Sequence, residues 1–232
     1  MTEFFLALFV FLLAHVIPTR PGVRRAATEA IGERSYIVGY SVMSTGLLAW
    51  LIFAAWRAPS EQVWDPAPWQ AGLALVLVPL GFVLFIAGSL TRNILSVTFR
   101  AGADSSAGAV LALTRHPVLW GLALWALAHT VANGDLVGIV LFGTLAAFAM
   151  LGTLIVDKRK KRLLGAERWA ELAEGTANLP FIGMVSGGRR PRFDAPLAIA
   201  IAATAIVVLL LLVVPGHQWL FGMDPVFWWV ER

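Results

Sequence analysis

The stretch "PVLWGLALWALAHTVANGDLVGIVLFGTLAAFAMLGTLIVDKRKKR" (residues 117–162) holds two long apolar runs, joined by a three-residue turn and closed by a block of cations. One helical crossing of a bilayer needs ~20 apolar residues, with ~17 tolerated, and both runs meet that length. The connection "NGD" at 133–135 is so short that the two runs form an antiparallel helical hairpin. Both runs are apolar all round, which excludes the alternating strands of a water-filled porin.

Outward from this hairpin, four more stretches qualify, at 3–19, 36–56, 70–90 and 195–215. With 117–133 and 135–156 they predict an all-α fold, a polytopic transmembrane helical bundle of about six spans forming a single integral membrane domain over 1–232. Composition agrees. The 232 residues are 59% hydrophobic and 14% charged, with mean hydropathy +0.77, against about 25% charged in soluble domains. The N-terminus carries Glu3 and no basic leader or small-residue cleavage site, so it reads as a retained first helix and not a signal peptide.

The net charge of +4 and pI near 10.1 raise nucleic acid as a partner. The placement of the cations points to topology instead. Segments 18–35, 91–116 and 157–194 hold sixteen of the eighteen Lys and Arg residues, leaving only Arg57 and Arg232 on the opposite side. Positive segments stay cytoplasmic, so both termini are expected on the non-cytoplasmic side of a bacterial inner membrane. The clusters in 157–194 serve as orientation signals, with contact to anionic lipid as a secondary use. That segment is expected to form a cytoplasmic basic loop with a short helix at 160–174 and a turn at "NLPF" (178–181). The stretch 91–112 reads as an interfacial helix covering a site from the cytoplasmic side. Tryptophans in "RAPSEQVWDPAPW" (57–69), with Trp219, Trp228 and Trp229, suit the aromatic belt at the opposite interface.

The chain has no cysteine, which excludes disulfides, iron–sulfur clusters and thiolate-ligated haem. No Walker loop, HExxH pair or GxSxG elbow is present. The four histidines fall into two layers. His15 and His116 lie near the cytoplasmic ends of antiparallel spans, while His129 and His217 lie near the other face. His129 is thirteen residues beyond His116, or ~19 Å at 1.5 Å per residue, and a net turn of ~220° points the two rings to different faces. Two histidines at one depth on different helices can sandwich a haem iron or share a smaller metal with a carboxylate. A lone histidine at an interface more commonly bonds water, a headgroup or a carbonyl, and that reading stands beside the metal one. Tyr40, Ser41, Ser44 and Thr45 give the second span a hydroxyl-bearing half. Asn133 and Asp135 read as caps of the hairpin, Asp157 as paired among its bases, and Gly72, Gly81, Gly88 and Gly121 as points of close helix packing.

Four motifs in order, "LLAHVIPTRPGVRRAATEAIGERSYIVGYS" (12–41), "TRHPVLWG" (114–121), "LAHTVANGD" (127–135) and "GAERWAEL" (165–172), resemble the NnrU family, which includes the zeta-carotene isomerases of carotenoid synthesis. The resemblance runs from the first span to about residue 181. It implies a membrane protein with haem b ligated by histidine, as in the isomerase branch. Its bacterial branch is associated with nitric oxide and nitrite metabolism, so the family leaves the substrate between these pathways. Carried over, the family histidines fall on His15, His116 and His129. His15 and His116 become the expected axial pair, with Arg115 as counter-charge to a propionate. The expected partners are the bilayer and a hydrophobic small molecule, with no nucleic acid. "RHPVLWG" also resembles, more distantly, membrane methyltransferases of the isoprenylcysteine and phospholipid type. There Arg115 and His116 would face the carboxylate end of S-adenosylmethionine, although Leu119 replaces that family's tyrosine and "DKRKKR" its acidic pair. A non-enzymatic assembly factor for a respiratory complex is the third reading.

Overall fold

The computed structural model describes residues 1–232 apart from 19, 60, 99–107, 186–187, 191 and 231–232. The described residues are helical apart from turns and one isolated bridge between Gln62 and Asp135. In chain order the helices are α1 (Thr2–Val16), α2 (Pro21–Ile31), α3 (Glu33–Arg57), α4 (Pro68–Leu90), α5 (Ala109–Leu113) and α6 (Pro117–Asn133). They continue with α7 (Leu136–Leu164), α8 (Ala166–Ala173), α9 (Ile182–Val185), α10 (Ala195–Val208, continued by a π turn over Leu209–Val213) and α11 (Gly216–Phe221). Four of them are long and apolar enough to cross a membrane: Glu33–Arg57, Pro68–Leu90, Leu136–Leu164 and Ala195–Val213.

The residues form two compact units, Met1–Val63 with Asp135–Leu141, and Trp64–Gly134 with Phe142–Arg232. In the first, α1 and α3 pack antiparallel, as the contacts of Glu3 with Arg57 and of His15 with Ser44 require. α1 buries Phe4, Ala7, Leu8 and Phe11, the i, i+3, i+4, i+7 stripe of an amphipathic contact face. α1 stops at Val16, short of the expected 3–19 span. Ile17 still has helical geometry, φ −65° and ψ −51°, and the helix ends there because Pro18 has no N–H to continue the ladder.

In the second unit α4 and α6 lie antiparallel, so close that a Cβ on Gly121 would sit 2.6 Å from the carbonyl oxygen of Gly81. Small residues at such crossings let two backbones approach directly where lipid supplies no hydrophobic drive. α6 also packs antiparallel on α7, with Leu119 beside Gly152 and Thr130 beside Gly143. The hairpin turn is built as expected: Gly134 takes the left-handed conformation (φ 70°) and the Asp135 carboxylate accepts from the Gly138 N–H, an N-cap worth ~1 kcal/mol. Leu84, Ala87, Leu111, Trp120, Ala123 and Ala200 form the core. Many large apolar residues stay outside it, such as Val76, Leu154 and Ile155 at 61–65% exposure, where a bilayer would cover them.

Two expectations change here. The block "DKRKKR" is not loop; α7 carries it in unbroken helix to Leu164, because Lys and Arg are good helix formers. The turn comes at Gly165 (φ 82°), which divides the expected 160–174 helix and starts α8. The expected interfacial helix at 91–112 falls partly outside the described residues. Its C-terminal part, α5, is buried at Ala109, Val110, Leu111 and Ala112, which places it in the core and not at a surface.

Candidate functional site

Arg115 and His116 immediately precede α6, whose first turn is set by Pro117, where the missing N–H costs nothing. Both are inside the protein, at 8% and 0% exposure. Arg115 forms a two-pronged ion pair with Asp157 of α7, Nε–Oδ1 3.0 Å and Nη2–Oδ2 2.7 Å. Its third nitrogen, Nη1, donates to the Thr176 hydroxyl at 3.1 Å. The Trp169 ring of α8 covers the guanidinium at 5.1 Å, a cation–π contact. Planar, two-point pairing of this kind suits Arg and could not be copied by Lys.

His116 completes the array. Its Nδ1 lies 2.7 Å from the Ser96 hydroxyl, and its Nε2 lies 3.0 Å from Asp157 Oδ1. The second contact is off the hydrogen-bond direction, so Nε2 is a buried nitrogen beside a carboxylate without a directed bond among the described residues. Asn178 reaches from the 174–181 turn to Asp157 and to Trp120 Nε1, both at 3.4 Å. The backbone seals the cluster: Asn93 donates to the Arg115 carbonyl, and the Arg115 N–H donates to the Ala177 carbonyl. Several chain segments therefore meet on the Arg115–Asp157 ion pair and the His116 ring beside it. Unpaired, such charges would be costly in an apolar bundle.

The remaining histidines lie elsewhere. His15, in the first unit, holds its Nδ1 at 2.7 Å from the Phe11 carbonyl and its Nε2 at 2.8 Å from the Ser44 hydroxyl, with Tyr40 edge-on at 6.0 Å. In the second unit, His129 Nδ1 meets the Trp125 carbonyl at 2.8 Å, and the ring sits between Trp125 and Phe142, each 4.9 Å away. His217 bonds the Met223 carbonyl. A ring donating Nδ1–H to a carbonyl leaves its lone pair on Nε2, the form an iron ligand takes. His15 and His129 have that form, and among the described residues no hydrogen bond reaches Nε2 of His129. His116 as it stands does not fit an iron, because Nε2 is turned to Asp157 and Nδ1 to Ser96. Arg115 likewise gives its guanidinium to Asp157 and Thr176 and not to a free face. Among the described residues no three His, Asp or Glu side chains converge to hold a metal ion.

Sequence reasoning singled out Arg115 and His116 but read Asp157 as a local partner of the bases after it, and missed Ser96, Thr176 and Asn178. Hairpin register could have found Asp157. Arg115 and Asp157 are each about twenty residues from the Gly134–Asp135 turn, which puts them level in an antiparallel pair.

An all-helical chain with four helices long and apolar enough to cross a membrane among its described residues is a multi-pass membrane protein. The chain belongs to the family described as NnrU protein, which it matches over residues 3–225. It is similar to the chloroplastic 15-cis-zeta-carotene isomerase of Zea mays, 26% identical over 199 residues covering 81% of this chain. The chain spans about half of that relative, 52% of its length. No solved structure matches.

Proposed function

We propose that this chain is a haem-b-dependent membrane isomerase acting on a conjugated, hydrophobic substrate drawn from the bilayer. The observation that supports the reading is His129, held among Trp125 and Phe142 with Nδ1 on the Trp125 carbonyl and no hydrogen bond to Nε2 among the described residues. Ionisable groups held inside an apolar helical protein are costly and mark function more often than structure. Family membership and the isomerase relative supply the reaction class. When bound, haem b supplies an iron that can polarise or exchange charge with a conjugated double bond. The chain's own part is to orient. Asp157 beside Nε2 favours a ring proton at that atom and leaves Nδ1 to accept the Ser96 hydroxyl. His15 and His129 carry the ligand-ready tautomer, and His116 would ligate only after leaving Asp157. Arg115 would turn to a propionate only by the same release.

The same reading takes six crossings with both termini outward in a bacterial inner membrane. α1 and α6, at 15 and 17 residues, are short for a ~30 Å core and cross by local thinning. Arg115 is enclosed by Asp157, Thr176 and Trp169, so the methyltransferase reading finds no open guanidinium face.

The test is the full chain purified in detergent after expression with ample haem. A Soret band, together with conversion of a 15-cis polyene to its trans isomer by chromatography, is the expected result. No Soret band removes the cofactor; a band without conversion removes the isomerase and leaves a redox role in nitric oxide or nitrite metabolism.

A further inference from the structure

α2 is unlike every helix around it. It follows a hydrophobic helix, its axis turned 78° from that of α1, and none of its residues is buried. Arg24, Arg25 and Glu29 fall within its eleven residues, so it cannot cross hydrocarbon. Its apolar residues are Val23, Ala26, Ala27, Ala30 and Ile31, the i, i+3, i+4, i+7, i+8 spacing of a single stripe. Val23 and Ile31 expose 43% and 57% of their surface. The opposite face carries Arg24, Arg25, Thr28 and Glu29, and Arg20 and Arg34 bracket the helix. Arg24 is paired with Glu33 at 3.2 Å. Arg20, Arg25 and Arg34 have no ion pair among the described residues.

An exposed apolar stripe beneath free arginines, one residue from a membrane-length helix, meets both needs at one place. The stripe fits the acyl boundary, and the arginines fit the phosphates above it. We propose that α2 lies in the membrane surface and binds anionic phospholipid through Arg20, Arg25 and Arg34. This is independent of the haem reading. Each juxtamembrane arginine favours anionic over zwitterionic lipid by roughly fivefold, and the preference weakens at high salt.

The chain has no cysteine, so a nitroxide on a single introduced cysteine reports one position. Ala26→Cys, Ala30→Cys, Thr28→Cys and Glu29→Cys are each labelled in the full chain. Each is reconstituted in vesicles of phosphatidylcholine alone or with a third phosphatidylglycerol. The expected result is high oxygen and low nickel-chelate accessibility at 26 and 30, the reverse at 28 and 29, and deeper insertion with phosphatidylglycerol. Joint Arg20→Gln, Arg25→Gln and Arg34→Gln substitution should abolish the lipid dependence while leaving the stripe inserted. Equal nickel accessibility at all four positions would overturn the proposal, as would protection of 26 and 30 from both reagents, the signature of a protein partner. Insertion indifferent to phosphatidylglycerol, or reversed equally by free inorganic phosphate, would overturn the anionic-lipid site.

Discussion

Arg115 and Asp157, forty-two positions apart in sequence, meet through two parallel contacts of 3.0 and 2.7 Å, with side chains only 10% and 18% exposed. The pair joins the start of α6 to α7, and its carboxylate also faces His116. A buried pair of this kind differs from the surface pairs Arg24–Glu33 and Arg57–Glu3, whose worth in water is small.

Removing one partner strands the other charge. Asp157→Ala should lower unfolding free energy by about 3–5 kcal/mol, read as a fall in thermal midpoint in detergent. The double change Arg115→Met with Asp157→Leu should recover most of that loss, because two apolar side chains leave no buried charge.

Gly121→Ala should be costly, because its Cβ would press on Gly81 O at 2.6 Å and Phe85 N at 2.7 Å, backbone atoms that cannot rotate away. Overpacking of this sort costs ~1–3 kcal/mol. Gly46→Ala, in α3 with nothing within 4 Å, should instead raise the thermal midpoint slightly, by the ~0.5–1 kcal/mol helix advantage of Ala over Gly.

Asp194 serves two donors: it caps α10 through the Leu197 N–H at 3.0 Å and accepts the Ala109 N–H of α5 at 2.8 Å. Asp194→Ala should therefore cost more than the ~1 kcal/mol of an ordinary cap, since a second backbone donor is orphaned at ~1–3 kcal/mol. Asp135→Ala, which loses only the Gly138 bond, is the comparison, and the difference in thermal midpoint checks the claim.

His116 and His129 should separate by readout. His116→Ala removes the partner of Ser96 and Asp157 and should lower the thermal midpoint, at ~1–3 kcal/mol for each polar group left unmatched. His129→Ala should cost only the ~0.5–1.5 kcal/mol of its aromatic contacts, yet change the Soret spectrum of haem-loaded protein. The opposite assignment of the two effects would move the ligand to His116.

The helices were legible because a bilayer imposes length and apolarity on each crossing, and the "NGD" turn fixed one pairing outright. What the chain did not disclose is tertiary. Nothing in the residues around Asp157 separates it from the cations that follow, since its partners come from forty-two positions upstream. Ser96 sits in a stretch without periodicity, and Asn178 in a turn readable only as a turn. Depth ordering could group His15 with His116, but it carries no information about ring orientation. The Asp157 contact that occupies Nε2 was therefore invisible. Helix ends moved where single residues act, at Pro18 and Gly165.

His116 caps the start of α6 and His129 lies near the end of that helix, and α7 answers with Asp157 and Phe142 at matching heights. The two antiparallel rods thus share an upper rung made of charge and a lower rung made of aromatic rings. Turning α7 about its axis would loosen both together.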